Sequence, residues 1–284
     1  MERENLKEPL QHGTADFPVA LYNMYFDKQY DLLAPLHYHR EFELMVVTKG
    51  NVRVQLEKET YILSKGEGVF INSGLIHMIS AADKTEHSFI AIVFDYTLLC
   101  TESDKIFASY IQHIINQSLL LPFSLSKEIC VKIEEISAMF EEADFGYEFY
   151  IKSSLNHIFY QLIKDAKKAA APVQNVKSSI IKGVIDYIRE NYSKTISLQE
   201  LADQANTSKE YLCRIFNEMT DISPIVYLNR YRIQQSTFLL LNSNRSISDI
   251  ALSCGFNNSS YYNKLFMRHM GCTPTEFRKR SISF

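Results

Sequence analysis

Three histidines and one glutamate near the start carry the most explicit chemical signal. In "APLHYHREFELMVVTKG", His37, His39 and Glu43 stand in an HxHxxxE spacing, Gly50 follows seven residues past Glu43, and His77 closes the set in "GEGVFINSGLIHMI". Residues i and i+2 of a strand share a face, so His37 and His39 point the same way. Three imidazoles and one carboxylate suit Fe, Mn, Ni or Zn. In an otherwise apolar interior the same groups suit a sugar or other small polar effector. Histidines of this kind also cap strands or bond to backbone. An effector pocket, a metal site and structural polarity therefore stand side by side as uses of His37, His39, Glu43 and His77.

A second chemical signal lies in the last third, on two helical segments. In "SKEYLCRIFNEMT", Leu212, Ile215, Phe216 and Met219 share one face by the i, i+3, i+4, i+7 rule, which leaves Lys209, Glu210, Cys213 and Arg214 outside. In "SSYYNKLFMRHM", Tyr262, Leu265 and Phe266 face inward, joined by His269 or Met270, and Ser259, Ser260, Asn263, Lys264 and Arg268 face outward. Arg suits guanine, Asn suits adenine and Ser pairs with several bases, so both polar faces fit the floor of a DNA groove. Solvated faces of an ordinary helical bundle are the alternative. Cys213 and Glu210 are unusual base contacts, so the first helix discriminates less, or reads cytosine or a methyl group.

The elements that must position these residues fall into two blocks. The chain has 284 residues and a 46% hydrophobic fraction, enough for two domains with packed cores. No apolar run reaches membrane-spanning length, and the polar first twenty residues make a poor signal peptide. Five scattered cysteines, none in a CxxC pair, predict reduced thiols and a cytoplasmic protein. From about residue 15 to 100 short alternating strands recur, with a hairpin signal at Lys49-Gly50-Asn51 and breaks at "SKGEG" and "NSG". A small β-barrel or sandwich is expected. Helical spacing takes over at about 103–168, where Ser126 is a plausible N-cap for Ile129, Ile133, Ile136 and Phe140. The aperiodic "AKKAAAPVQNVKSS" places a linker at 169–177, and residues 178–284 read as all-helical. Charge divides the same way: from Lys177 onward 14 Lys and Arg oppose 9 Asp and Glu, whereas the preceding residues hold 16 and 24. A balance of +5 on an acidic body suggests a polyanion-binding module on a carrier domain.

The helical third repeats itself at a period of about 50 residues, in two copies, too few for a solenoid. Leu201-Ala202 aligns with Ile250-Ala251, Ala205 with Cys254, Phe216 with Phe266, Ser223-Pro224 with Thr273-Pro274 and Tyr227 with Phe277. Each copy is a helix, a tight turn, a helix and a Pro-started helix, the layout of a helix-turn-helix unit. The second helix of such a unit lies in the major groove.

The stretch "DIALSCGFNNSSYYNKLFMRHMGCTPTEFRKR" and its weaker first copy resemble the DNA-binding domain of the AraC/XylS family of bacterial transcription regulators, over residues 177–280 or so. The HxHxxxE pattern with His77 resembles the two motifs of the cupin barrel. One departure is Asn72, where the second motif usually carries Pro before Ser-Gly. The resemblance implies an α+β two-domain chain: an N-terminal cupin-like barrel with a helical pair (1–168), then two helix-turn-helix units joined by a long helix. It implies that the units enter successive major-groove segments ~34–36 Å apart. Lys209, Glu210, Cys213 and Arg214 would face one segment, and Ser259, Ser260, Asn263 and Lys264 the other. It further implies that His37, His39, Glu43 and His77 converge inside the barrel, where cupin enzymes hold a divalent metal.

The expected protein is an effector-responsive activator of a carbohydrate or small-metabolite operon, with no required cofactor and a divalent metal as an option in the pocket. Its expected partners are operator half-sites in double-stranded DNA, a sugar-like effector, RNA polymerase and a second copy, with no membrane. The homodimer is expected through the helices of 126–168, at Ile129, Ile133, Ile136 and Phe140. Tyr22, Tyr25, Phe70 and Phe94 are candidates to stack on a sugar ring. The signal is expected to pass through the 169–177 linker. The alternatives are a cupin metalloenzyme, such as an isomerase or dioxygenase, fused to a DNA-binding domain, and a regulator that responds to no ligand.

Overall fold

Alternating apolar residues and Gly or Asn turns fold the first block into two four-stranded antiparallel sheets. The computed structural model describes residues 12–14, 16–57, 59–168, 176–220 and 222–281. The strands are β1 (Val19–Phe26), β2 (Leu32–His37), β3 (Phe42–Lys49), β4 (Asn51–Leu56), β5 (Glu59–Ser64), β6 (Gly68–Ile71), β7 (His77–Ala81) and β8 (His87–Phe94). One sheet has the order β1-β8-β3-β6 and the other β2-β7-β4-β5. Gly50 turns the β3–β4 hairpin at φ +72, where a Cβ would sit 2.4 Å from the Glu86 carbonyl oxygen, so no other residue fits. Between the sheets lie Met45, Val47, Val52, Val54, Ile71, Ile79 and Phe89.

The outer face of the first sheet is also apolar. Phe42, Leu44, Val46, Ile92 and Phe94 pack there against two helices. These follow a π-helical turn (Phe107–Ile111) and the short helix α1 (Gln112–Ile115), and are α2 (Lys127–Glu142) and α3 (Tyr147–Lys164). The two-residue strands β9 (Leu119–Leu120) and β10 (Lys167–Lys168) pair with each other. Ser126 caps α2 by accepting from the Ile129 amide at 3.3 Å. The stripe of α2 is not a dimer surface: Ile129, Ile133 and Ile136 are at most 4% exposed and Phe140 packs against the same core. The amphipathic pattern was real, but the sheet of its own chain uses it up. Phe70 and Phe94 belong to this layer too and so do not face the space between the sheets, and Tyr22 and Tyr25 are exposed.

Beyond 169–175, which lie outside the described residues, come α4 (Val176–Asn191), α5 (Leu198–Gln204), α6 (Lys209–Thr220), α7 (Pro224–Asn242), α8 (Ile247–Ser253), α9 (Ser259–Met270) and α10 (Pro274–Ser281). The expected linker end at 177 is corrected: Val176 and Lys177 already form the first turn of α4. Caps recur at equivalent places in the two copies. Ser197 and Ser246 open α5 and α8, and Ser223 caps α7 ahead of Pro224. Asn206 at φ +49 and Gly255 at φ +83 turn the two helix-turn-helix units at matching positions. Leu212, Ile215, Phe216 and Met219 are fully buried in the first unit, and Tyr262, Leu265 and Phe266 in the second are at most 9% exposed.

The outer face of the second sheet is covered by the helical block itself. Leu36 and Ile76 share one core with Ile181, Val184, Ile185, Ile188, Leu212 and Phe216, and Tyr38 and Met78 pack on its edge.

Candidate functional site

Strands β2, β3 and β7 bring His37, His39, Glu43 and His77 together at one end of the space between the sheets. One ligand atom from each lies within 4.8 Å of the others. His77 is fully buried and Glu43 is 3% exposed. The three imidazoles are oriented by backbone. Nδ1 of His37 lies 2.7 Å from the Pro35 carbonyl, Nδ1 of His39 3.1 Å from that of Glu41, and Nδ1 of His77 2.9 Å from that of Leu75. A carbonyl only accepts, so each Nδ1 carries a proton and each neutral ring presents the lone pair of Nε2.

Those lone pairs meet a carboxylate. Nε2 of His39 and of His77 lie 3.1 and 3.2 Å from Oε2 of Glu43. Burial opposes charge on His39, yet the hydrogen bond and charge of Glu43 outweigh it and raise its pKa. Burial would likewise raise the Glu43 pKa, but the imidazoles of His39 and His77 hold it well below the carboxylate range. His37 is pushed well below its ordinary value by burial, then by His77 and His39, so it stays a neutral donor. Nε2 of His77 is buried with no aligned hydrogen-bond partner. Burial keeps His37 neutral, so its lone pair stays buried beside the anion, next to the Nε2 atoms of His39 and His77. A divalent cation satisfies all of them at once, and nitrogen with carboxylate is a donor set for Zn, Ni, Co, Fe or Mn. The residues present fit a metal ion, with apolar side chains filling the space behind them.

Sequence reasoning missed the surroundings. His12 packs edge-on against His39 with ring centroids 5.2 Å apart, and its Nδ1 lies 2.7 Å from the Tyr22 hydroxyl. Nothing in the spacing of "QHGT" marks it. Asn72, the departure from the cupin motif, donates Nδ2 to the Ile114 carbonyl at 2.8 Å and ties the motif to α1. Tyr38, between two site histidines, turns away from them. Its hydroxyl donates to Asp186 of α4, the Arg189 guanidinium donates to its carbonyl at 3.4 Å, and the Lys182 ammonium lies 5.3 Å from its ring centroid.

The residues expected to read DNA sit at the heads of α6 and α9. Lys209, Glu210, Arg214, Ser259, Ser260, Asn263 and Lys264 are exposed, and Cys213 is half-buried. Asn258 caps α9 by accepting from the Tyr261 amide at 2.9 Å. The Arg214 guanidinium stacks 5.1 Å from the Tyr211 ring, which stiffens it for contact. The Glu210 pKa is lowered by its own backbone amide and by Ser208, which keeps it anionic and partly occupied at the helix start. Tyr261 was passed over: its neighbour Tyr262 is the core residue, while Tyr261 is 48% exposed and accepts from Asn229 Nδ2 at 3.2 Å.

Comparison with known proteins gives two matches along the chain. An AraC-like ligand binding domain matches residues 21–121, and a helix-turn-helix domain matches residues 201–280. The chain is 27% identical to the HTH-type transcriptional regulator YdeC of Bacillus subtilis, over 97% of both chains. It is 24% identical to the HTH-type transcriptional activator RhaR of Mannheimia succiniciproducens, over 87% of this chain and 88% of the other. Its fold is similar to that of fatty-acid-bound ToxT from Vibrio cholerae, with a TM-score of 0.52 at 12% identity over 92% of this chain and 94% of that one.

Proposed function

Since the chain belongs to the AraC family of helix-turn-helix transcriptional regulators, we propose that it is a metal-responsive activator whose sensor barrel holds a divalent transition metal at His37, His39, Glu43 and His77. DNA and a small effector are the partners that its two domains imply. The observation that carries the proposal is the convergence of Nε2 atoms on Glu43, each ring locked by a carbonyl on its far side. The ion would supply positive charge where three buried imidazoles crowd one carboxylate. It would also bridge β2 and β7 of one sheet to β3 of the other. We propose no turnover: regulation, not catalysis, is what the fusion to a reader serves. Among the described residues no helix is long and apolar enough to cross a membrane, and we take the protein to act in the cytoplasm, with RNA polymerase as its downstream partner.

The reading helices α6 and α9 would contact bases through Lys209, Glu210, Cys213, Arg214, Ser259, Ser260, Asn263 and Lys264. Dimerisation, if it uses the helices of 126–168, must use faces other than the buried stripe; Phe145 and Phe149 at the α2–α3 corner and Tyr160 on α3 are exposed there.

Elemental analysis of protein purified without chelators tests the metal. About one Zn, Ni, Co, Fe or Mn per chain is expected, falling to near zero in His77→Ala with unchanged circular dichroism. Substoichiometric metal in the parent protein, after incubation with each ion in turn, overturns the proposal.

A further inference from the structure

The site histidines and the residues that grip the DNA reader lie interleaved on the same strands. On β2 and just past it, Leu36 and Tyr38 reach the helical block, while His37 and His39 reach the site. On β7 and just before it, Ile76 and Met78 reach the helical block, while His77 reaches the site. The period-2 geometry of a strand makes this unavoidable: neighbours in sequence point to opposite faces. Each of the three imidazoles is therefore one peptide unit from a side chain buried against the reader.

The grip is specific as well as apolar. Tyr38 donates to Asp186, lies under the Lys182 ammonium and receives the Arg189 guanidinium at its carbonyl. Across the β4–β7 ladder Gln55 opposes Met78, and its buried Nε2 donates 3.1 Å to the Met219 carbonyl near the end of α6, the first reading helix. Ser178 at the start of α4 donates to Glu57 at 2.5 Å, and Glu57 follows the register pair Leu56–His77. Every one of these contacts bypasses the linker.

We propose that occupancy of the four-residue site is transmitted to the first helix-turn-helix unit directly through β2 and β7, with Tyr38 as the coupling residue. The inference rests on the metal reading above and adds how that site regulates. Drawing His37, His39 and His77 onto one ion fixes the inward side chains of two strands. That in turn fixes the outward ones, which set where α4 and α6 stand relative to α9. The Tyr38 side chain turns away from the site and toward Asp186, so it is a positioning residue.

The test uses the full chain, Co²⁺ alone as the probe, and a fluorescent duplex obtained by unbiased selection with the same protein. Co²⁺ binding is read from visible absorption and duplex affinity from anisotropy. In the parent protein Co²⁺ is expected to tighten the duplex at least fivefold, and by linkage the duplex must tighten Co²⁺ by the same factor. Tyr38→Ala should bind Co²⁺ within twofold of the parent and lose most of the DNA response. Asp186→Ala, which breaks the same contact from the reader side, should do likewise. Both variants binding Co²⁺ and keeping the full response would overturn the coupling and leave the metal site standing. No Co²⁺ absorption in the parent protein would overturn the metal reading, and the coupling with it.

Discussion

Replacing Arg232 with Met should cost the reader domain roughly 3 kcal/mol. Arg232 is 8% exposed in the middle of α7, the helix that joins the two units. Its Nε donates 2.8 Å to the Tyr192 carbonyl and its Nη2 2.6 Å to that of Lys194, so one side chain fastens the loop after α4. On its other side it lies 5.7 Å from the Phe256 ring, just past the Gly255 turn of the second unit. A hydrogen bond to a charged group contributes about 1.5–3 kcal/mol net. The Tyr192 carbonyl is hemmed in, since a Cβ at Gly255 would stand 2.4 Å from it. Lys194 is exposed and its carbonyl can return to water. Counting the first bond at about 2 and the second at about 1 gives the total, and Met retains the buried stem. At a urea slope of about 2 kcal/mol per molar, the midpoint should fall by roughly 1.5 M. The chain has no Trp, so far-UV circular dichroism is the probe. Arg232→Lys, which can keep one of the two bonds, should recover about half. A loss below about 0.5 kcal/mol in Arg232→Met, on the scale of ordinary surface substitutions, would refute the account of Arg232 as the tie between units.

Three further outcomes are expected. Ile133→Asp buries an unpaired carboxylate at a fully buried position between α2 and the sheet, so it should abolish the cooperative unfolding transition, with a loss above about 4 kcal/mol, and not yield a folded monomer; sedimentation and circular dichroism together decide. Arg214→Ala and Lys264→Ala should each weaken a selected duplex by about 1–3 kcal/mol and random duplex far less if they touch base edges; equal losses on both would assign them to phosphate. Inserting two Gly-Ser pairs between residues 170 and 174 should leave the Co²⁺ response of DNA binding within twofold, because the contacts described above bypass that segment; a lost response would restore the linker as the route.

The reader was the most legible part of the chain, because helical periodicity and caps are local. Leu212, Ile215, Phe216 and Met219 announce one face by spacing alone, and Ser197, Ser223 and Pro224 mark where helices begin. The repeat doubled that signal, and the structure adds Asn206 and Gly255, both at positive φ, at the two turns. The four site residues were legible as a pattern, but their meeting was not a matter of spacing. It needs β3 of one sheet to face β2 and β7 of the other, a long-range fact. The dimer stripe failed for the same reason. An amphipathic helix shows that it has a partner, and Ile133 at 0% exposure shows that the partner is its own sheet. Taken singly, Tyr38 and Gln55 carried no signal, since a tyrosine between histidines and a glutamine in a strand are unremarkable until the reader is docked on them.

One clue to that docking was nevertheless present. A sheet with one face in water alternates apolar and polar residues, whereas a sheet covered on both faces does not. In β3 both alternate sets are buried: Glu43, Met45 and Val47 toward the second sheet, Phe42, Leu44 and Val46 toward α2 and α3. The stretches around β2 and β7, Leu36-His37-Tyr38-His39 and Ile76-His77-Met78, show the same double occupancy with imidazoles as the inner set. Their outer set of Leu, Tyr, Ile and Met is too apolar for solvent, and only the helical block was left to cover it. A shift of one residue in either strand would send the imidazoles to the reader and the apolar side chains to the site. The proposed site and the docking of the reader therefore share one register, and neither can be altered there without disturbing the other.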